Sequence, residues 1–245
     1  MKISAQGLHH RALNEKIHQA IEAGEREIFL TQVNGQRYIG DGIQNAGLQI
    51  TIQGTPGNDL AAFMDGPSLF IYGNAQDGVG NTMNGGKIVI HGNAGDIAGY
   101  AMRGGKIFIR GDAGYRVGIH MKAYNEFFPV IVIGGRAGNF LGEYMAGGLI
   151  VVLGLKVEMD KSPVGTYVGT GMHAGKIYVR GSVRNYQLGK EIMHFDIDKN
   201  DREELEPLLH EYCENLNLPW EEIRKGPFVK LSPYSHRPYG KLYSY

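Results

Sequence analysis

The chain has 245 residues, and its 25 basic side chains balance its 25 acidic ones, which excludes the domain-wide basic field of nucleic-acid-binding domains. Cys213 is the only cysteine, which excludes an intramolecular disulfide and a four-cysteine zinc or iron–sulfur site within the chain. Glycine, with 37 residues, has roughly twice its usual share and indicates many tight turns.

The first predicted element is a helix. Residues 8–23, LHHRALNEKIHQAIEA, place apolar side chains at helical spacing, and Gly24 ends the pattern. Residues 26–33, REIFLTQV, predict a strand that leads into the next segment. We expect residues 1–34 to form a cap whose helix covers the N-terminal end of the fold, because an open end of a repetitive stack exposes its core and its backbone edge.

A repeat fills residues 35–181. Its leading glycines recur mostly every 19 residues and define seven units, two of them with insertions; these glycines are Gly35, Gly54, Gly73, Gly92, Gly111, Gly135, Gly154 and Gly181. Each unit ends in two apolar residues one position apart, so both side chains point to one face of a short strand. Such a unit cannot bury that face alone, whereas stacked units share a core. The repeat predicts an all-β solenoid, a right-handed parallel β-helix of about seven coils.

Other residue types also recur at fixed places in the repeat. A methionine column contains Met64, Met83, Met102, Met121, Met145 and Met172, and we interpret it as flexible core filler in preference to a metal or redox feature. Lys87, Lys106 and Lys176 share a column that is predicted to point outward to solvent. His120 and His173 flank the methionine column in coils too far apart to share a metal ion, so we expect structural roles for them.

The two insertions are the candidate partner contacts. Residues 122–129 read KAYNEFFP and residues 155–163 read LKVEMDKSP, and a regular solenoid needs neither segment. Insertions in solenoids map to loops and often to binding faces. The residues selected on this basis are Tyr124, Phe127, Phe128, Lys156, Glu158 and Asp160. The aromatic ones are costly to leave in water, so they either cover an edge within the chain or contact another subunit.

Residues 182–245 form a C-terminal tail of different composition. DKNDREELEPLLHEYCENLNL has a helical pattern that Pro207 is predicted to split or kink, and PWEEI opens a further short helix. The aromatic end, GPFVKLSPYSHRPYGKLYSY, predicts an extended arm. We expect this arm to pack on its own domain, with a partner as the alternative.

No motif for catalysis or cofactor binding occurs in the chain. The sequence lacks a dinucleotide-binding G-x-G-x-x-G between strand and helix, a phosphate-binding G-x-x-x-x-G-K-[ST], a G-x-S-x-G elbow and an H-E-x-x-H pair. We predict no catalytic, cofactor-binding or metal-binding residue in the chain, and hence a scaffold or interaction module. A polysaccharide-acting β-helix enzyme is less consistent with the sequence, because such enzymes are usually secreted and the chain begins without a secretory signal.

The repeat resembles a known family. G-x-x-G-x-x-x-G at this period, entered through GQRYIG (35–40), is similar to the C-terminal β-helix domain of the glutamate synthase large subunit, the GXGXG domain. The leading LNEKIHQAIEAGEREIFLTQVNGQRYIG and the final FVKLSP resemble its stand-alone form. The resemblance covers roughly residues 8–181. One of the subunits of formylmethanofuran dehydrogenase resembles the same domain, so a structural subunit of that complex or another redox complex is the alternative.

The resemblance implies a role without catalysis. Glutamate synthase transfers the amide nitrogen of glutamine to 2-oxoglutarate, using an N-terminal cysteine in one domain and FMN with an iron–sulfur cluster in another. This chain begins Met1-Lys2 and has only Cys213, so it lacks both centres. The implied partners are a glutaminase-type amidotransferase subunit and an FMN-containing synthase subunit that also carries the cluster, with a homo-oligomer as a further alternative. Without a secretory signal or an 18-residue apolar run, we expect a cytoplasmic protein with no nucleic-acid or membrane partner.

Overall fold

A computed structural model describes residues 1–234, and most of its elements are strands. The strands are β1 (Lys2–Ser4), β2 (Glu27–Asn34), β3 (Gln49–Thr55), β4 (Ser68–Tyr72), β5 (Lys87–Ile90), β6 (Lys106–Ile109), β7 (Val130–Ile133), β8 (Ala146–Val152), β9 (Ala174–Arg180), β10 (Ile192–Asp196) and β11 (Phe228–Pro233). The helices are α1 (His10–Glu22), α2 (Lys199–Leu216) and α3 (Trp220–Ile223).

Strands β2 to β9 pair in parallel, each with the next along the chain. This order confirms the all-β solenoid and the parallel β-helix. The fold has about six turns where the sequence predicted about seven coils.

The core of the solenoid is a set of apolar columns in register. One column pairs the first inward residue of each strand with the next: Ile50, Leu69, Ile88, Ile107, Ile131, Ile150 and Ile177. These side chains are fully buried, as are those of the six predicted methionines. The interpretation of the methionine column as core filler is confirmed, because its members belong to the same cluster as the strand residues.

Asparagine and aspartate side chains tie neighbouring coils together at the corners, which the sequence analysis missed. The Oδ1 atoms of Asn74, Asn93 and Asp112 each accept a hydrogen bond from a backbone N–H one coil further on, at 2.9, 2.9 and 2.7 Å. Asparagine occupies this place in two coils and aspartate in the next, so the sequence shows no column of a single residue type. Because either type accepts the same hydrogen bond, the column is defined by its chemistry and not by residue identity.

The N-terminal helix packs into the main core, as predicted for residues 8–23. Leu13, Ile17 and Ala20 of α1 are buried in one cluster with Ile3 of β1 and Ile28 of β2. Strand β1, which the sequence analysis did not predict, pairs in parallel with β2. Helix α1 is thus the crossover that joins two parallel strands, and its apolar side replaces the wall of a regular coil.

The C-terminal helix α2 covers the outer face of strands β5 to β9. The outward residues of these strands form a second apolar cluster with α2, which includes Phe108, Val132, Leu209 and Tyr212. The prediction of a solvated lysine column was therefore wrong. The lysines surround this apolar strip and pair with the covering helix: Lys87 lies 2.6 Å from Glu211, Lys106 contacts the same carboxylate, and Lys176 lies 2.8 Å from Glu204.

Two further expectations concern the C-terminal tail. Helix α2 runs without a break through Pro207, so the predicted split is wrong; Leu205, Leu208 and Leu209 anchor the helix to the sheet on both sides of the proline. Strand β11 pairs antiparallel with both β9 and β10, so the arm packs on its own domain over residues 228–233. Residues 235–245 of the predicted arm lie outside the described residues. Within residues 1–234, no helix is long and apolar enough to cross a bilayer.

The pairing of two lysines with one carboxylate predicts a small effect of removing one of them. We expect Lys106→Ala to lower the free energy of unfolding by less than about 1 kcal/mol, since Lys106 is 40% exposed and Lys87 continues to neutralise Glu211. Urea denaturation at neutral pH measures this. A loss above about 2 kcal/mol would show that Lys87 does not compensate.

Candidate functional site

The first insertion forms a small aromatic hairpin. Tyr124 and Phe127 exchange two backbone hydrogen bonds of 3.0 Å, which closes a tight turn over Asn125 and Glu126. Tyr124, Phe127 and Phe128 are 63%, 41% and 47% exposed. The three rings predicted as partner contacts therefore lie together in one exposed loop, a composition that favours a partner surface.

The second insertion is polar, and its three predicted residues are exposed. Glu158 forms an ion pair with Lys161, and the carbonyl of Asp160 accepts a hydrogen bond from Ser182. This insertion follows strand β8, whereas the aromatic hairpin precedes strand β7. The two insertions leave the solenoid at opposite ends of its strands, so the six predicted contacts form two separate surfaces. Their role as partner contacts stays a prediction.

A third exposed surface was missed by the sequence analysis, and we call it the aromatic corner. It consists of Tyr100, His120, Phe140, Tyr144 and Tyr167 from successive coils. The ring of His120 stacks on that of Tyr144 with centroids 5.2 Å apart and meets that of Tyr100 edge-on at 6.0 Å. The rings of Phe140 and Tyr167 stack at 4.9 Å. The corner therefore presents two short ladders of aromatic rings.

An ion pair lies between the two ladders. The Arg116 guanidinium lies 4.4 Å from the ring centroid of Phe140, and its Nε atom donates to Glu143 at 3.0 Å. Glu143 is buried although its neighbour Tyr144 is exposed. The buried carboxylate holds the arginine against the phenyl ring, so the corner is aromatic, electrically balanced and fixed in position.

The backbone of the aromatic corner is strained. Arg116, His120, Phe140, Tyr144 and Tyr167 have φ between 53° and 63°, a left-handed conformation that is unfavourable for bulky side chains. The same conformation recurs at turns of other coils, as in Asp59, Thr82 and Ile97, so it is a feature of the repeat that the stacked coils hold in place. A sequence signal was available, because the pattern R-V-G-I-H, then F-L-G-E-Y, then Y-V-G places large side chains two residues from each corner glycine.

Several titratable groups whose pKa departs from its usual value lie under α2. Burial raises the pKa of the Cys213 thiol, which disfavours the nucleophilic thiolate. Burial, together with hydrogen bonds to Asp201 and Glu204, raises the pKa of Tyr178 far above its usual range. No group of three or more His, Cys, Asp or Glu side chains within residues 1–234 is placed to hold a metal ion. Tyr178, Asp201 and Glu204 join helix α2 to the sheet. The prediction that the chain carries no catalytic residue stays a prediction.

Comparison with known proteins supports the family resemblance. The family model described as "GXGXG motif" matches residues 8–225. The chain is also 47% identical, over 249 aligned residues, to the uncharacterized protein MJ1350 of Methanocaldococcus jannaschii, and the alignment covers 99% of this chain and 95% of that protein. The family match spans both insertions, the aromatic corner and helix α2.

Proposed function

Because the chain belongs to the GXGXG motif family, that of the C-terminal domain of the glutamate synthase large subunit, we propose that it is a structural subunit of a glutamate synthase-like complex. In this role it is a non-catalytic cytoplasmic scaffold. Its partners are a glutaminase-type amidotransferase subunit and a synthase subunit that carries FMN and an iron–sulfur cluster. The complex transfers glutamine amide nitrogen to 2-oxoglutarate in glutamate biosynthesis.

The aromatic corner is the observation that carries this proposal. Protein interfaces are enriched in tyrosine and arginine, and a few such residues supply most of the binding energy. Here Tyr144 and Tyr167 are 43% and 54% exposed, in turns that bond to the next coil; the Tyr144 N–H, for example, donates to the Thr170 carbonyl at 2.9 Å. Rings that are already ordered lose little conformational entropy when a partner binds. The corner therefore has the properties of a preformed interface.

The placement of the insertions supports a scaffold that holds more than one subunit. The aromatic hairpin and the polar second insertion leave the solenoid at opposite ends of its strands. A rigid column with different chemistry at its two edges is suited to separate partners. We propose that the hairpin and the polar insertion contact different subunits.

Co-purification from the native cell tests the proposal. We expect the tagged chain to recover glutaminase-type and FMN-type polypeptides, and Tyr144→Ala to reduce their recovery at least about tenfold, the effect of losing a central interface side chain. Tyr72→Ala is a matched control, because Tyr72 is 54% exposed and stacks on His91 much as Tyr144 stacks on His120, but at the end of strand β4. Thermal unfolding by circular dichroism verifies that both variants fold.

The other outcomes contradict the proposal in distinct ways. Recovery of molybdopterin or tungsten subunits would favour a formylmethanofuran dehydrogenase-like complex, and recovery of the chain alone would favour a homo-oligomer. Stoichiometric flavin in the purified chain, or ammonia release from glutamine, would show that the subunit is not a passive scaffold. Equal loss of partners in Tyr72→Ala and Tyr144→Ala would remove the aromatic corner as the interface.

A further inference from the structure

A cavity of about 290 Å³ lies where helices α2 and α3 meet strand β11. It belongs to the C-terminal extension and is separate from the insertions and the aromatic corner. The volume is close to the lower end of the roughly 300–1,000 Å³ typical of small-molecule sites. A cavity of this size accepts a compact ligand and not a folded partner.

The inner wall of the cavity is apolar. Leu205 and Leu209 contribute from α2, Trp220 from the start of α3 and Phe228 from the start of β11. Both leucines are buried, and Trp220 is half-buried with its ring stacked on that of His210 at a centroid distance of 3.7 Å. The wall is therefore preformed, and it offers apolar and aromatic contacts to an apolar body.

The rim of the cavity is cationic. Arg202, Arg224 and Lys225 line it together with a single carboxylate, Glu206, so its formal charge is three minus one, or plus two. Arg224 already pairs with Glu221 at 2.8 Å. Among residues 1–234, the side chains of Arg202 and Lys225 form neither an ion pair nor a hydrogen bond with other residues. Within the described residues, two cations thus border the cavity without an ion-pair partner, and Glu206 is the one carboxylate in its lining.

We propose that this cavity binds a small amphipathic anion. The apolar body of the ligand lies against Trp220 and Leu209, and its carboxylate or phosphate is bound by Arg202 and Lys225. Cationic side chains bind such groups through charge-assisted hydrogen bonds, and the apolar wall adds burial that a free inorganic anion does not supply. Glu206 disfavours ligands with a second negative group on its side of the rim. This site is independent of the scaffold role.

The chain contains one tryptophan, and that tryptophan lines the cavity, so its fluorescence reports on this site alone. The probe is 4-phenylbutyrate, and its matched control is 4-phenylbutan-1-ol, which has the same apolar body without the charge. We expect saturable fluorescence change with the carboxylate and about tenfold weaker binding of the alcohol, the factor for one charge-assisted contact. Inorganic phosphate alone is expected to bind at least about tenfold more weakly than the carboxylate.

Variants identify the residues that bind the anion. Arg202→Gln and Lys225→Gln are each expected to weaken binding of 4-phenylbutyrate about five- to tenfold while binding of the alcohol stays the same. Lys199→Gln is the control, because Lys199 also lies on α2 but is 89% exposed and outside the cavity. Equal affinity for the carboxylate and the alcohol, unsaturable change, or unchanged binding in both cavity variants would overturn the proposal. Circular dichroism verifies the fold of every variant.

Discussion

Replacing Gly99 by alanine is expected to lower the free energy of unfolding by about 2–5 kcal/mol. Gly99 has φ of +71°, and a Cβ atom there would overlap the Cδ1 atom of Ile131 in the core of a following coil. The equivalent glycines of other coils are just as crowded. A Cβ atom at Gly80 would lie 2.6 Å from the Cδ1 atom of Ile107, and a Cβ atom at Gly118 would lie 2.5 Å from the Cδ1 atom of Ile150. Left-handed strain contributes about 1–2 kcal/mol of the loss, and overpacking about 1–3 kcal/mol.

Gly42 offers a control in the same column of the first coil. Its φ is +64°, but no atom lies within 4 Å of the position of a Cβ atom. We expect Gly42→Ala to cost only the strain, about 1–2 kcal/mol, and Ala61, which occupies this column with φ of 59°, shows that the fold accepts alanine where there is room. Urea denaturation of both variants separates the cost of backbone strain from the cost of overpacking. Equal losses would mean that contact with the next coil does not select glycine here.

Replacing Asp201 by alanine is expected to cost about 3–5 kcal/mol, the range for breaking a buried ion pair. The Asp201 carboxylate is buried and accepts hydrogen bonds from Lys230 and Tyr178, both at 2.6 Å, and from the backbone N–H of Asp198 at 3.0 Å. Its removal leaves the Lys230 ammonium without its carboxylate partner, and the Tyr178 hydroxyl keeps only its 3.0 Å hydrogen bond to Glu204. Glu203→Ala on the exposed side of α2 is the control, with an expected change within about 0.5 kcal/mol.

The same carboxylate predicts how stability depends on pH. Burial alone would raise the pKa of Asp201, but the hydrogen bonds from Lys230, Tyr178 and Asp198 outweigh burial and lower the pKa to about 2. A folded-state pKa below the unfolded value gives stability that is present above about pH 4 and is lost as pH falls through about 2. We expect this contribution to be about 2 kcal/mol at neutral pH.

Denaturation of the wild type and Asp201→Ala at several pH values tests this contribution. The difference in stability between them should shrink by about 1 kcal/mol between pH 6 and pH 3, because the wild-type carboxylate begins to lose its advantage there. A difference that is constant down to pH 3 would show that the carboxylate has an ordinary pKa in the folded state. Glu203→Ala serves again as the reference for α2.

The candidate surfaces were only partly predictable from the sequence. Tyr124, Phe127 and Phe128 were identified because an insertion interrupts a regular period and is visible without a structure. The aromatic corner was missed because Tyr100, His120 and Tyr144 occur within the regular units and do not repeat by residue type. Their rings become neighbours only when the coils stack, since residues about 20 positions apart then lie one coil apart.

The sequence by itself determined the solenoid, the buried methionine column and the N-terminal helix. Each of these follows from periodicity, because a repeated unit with one apolar face can bury that face only against copies of itself. Only the tertiary structure decided what covers the outer face of the sheet. Helix α2 lies more than 90 positions from Lys106 in the sequence, yet Glu211 on that helix pairs with this lysine. Such a contact between a repeat and a non-repetitive segment has no period, so it arises from the shape and charge of surfaces that exist only after folding.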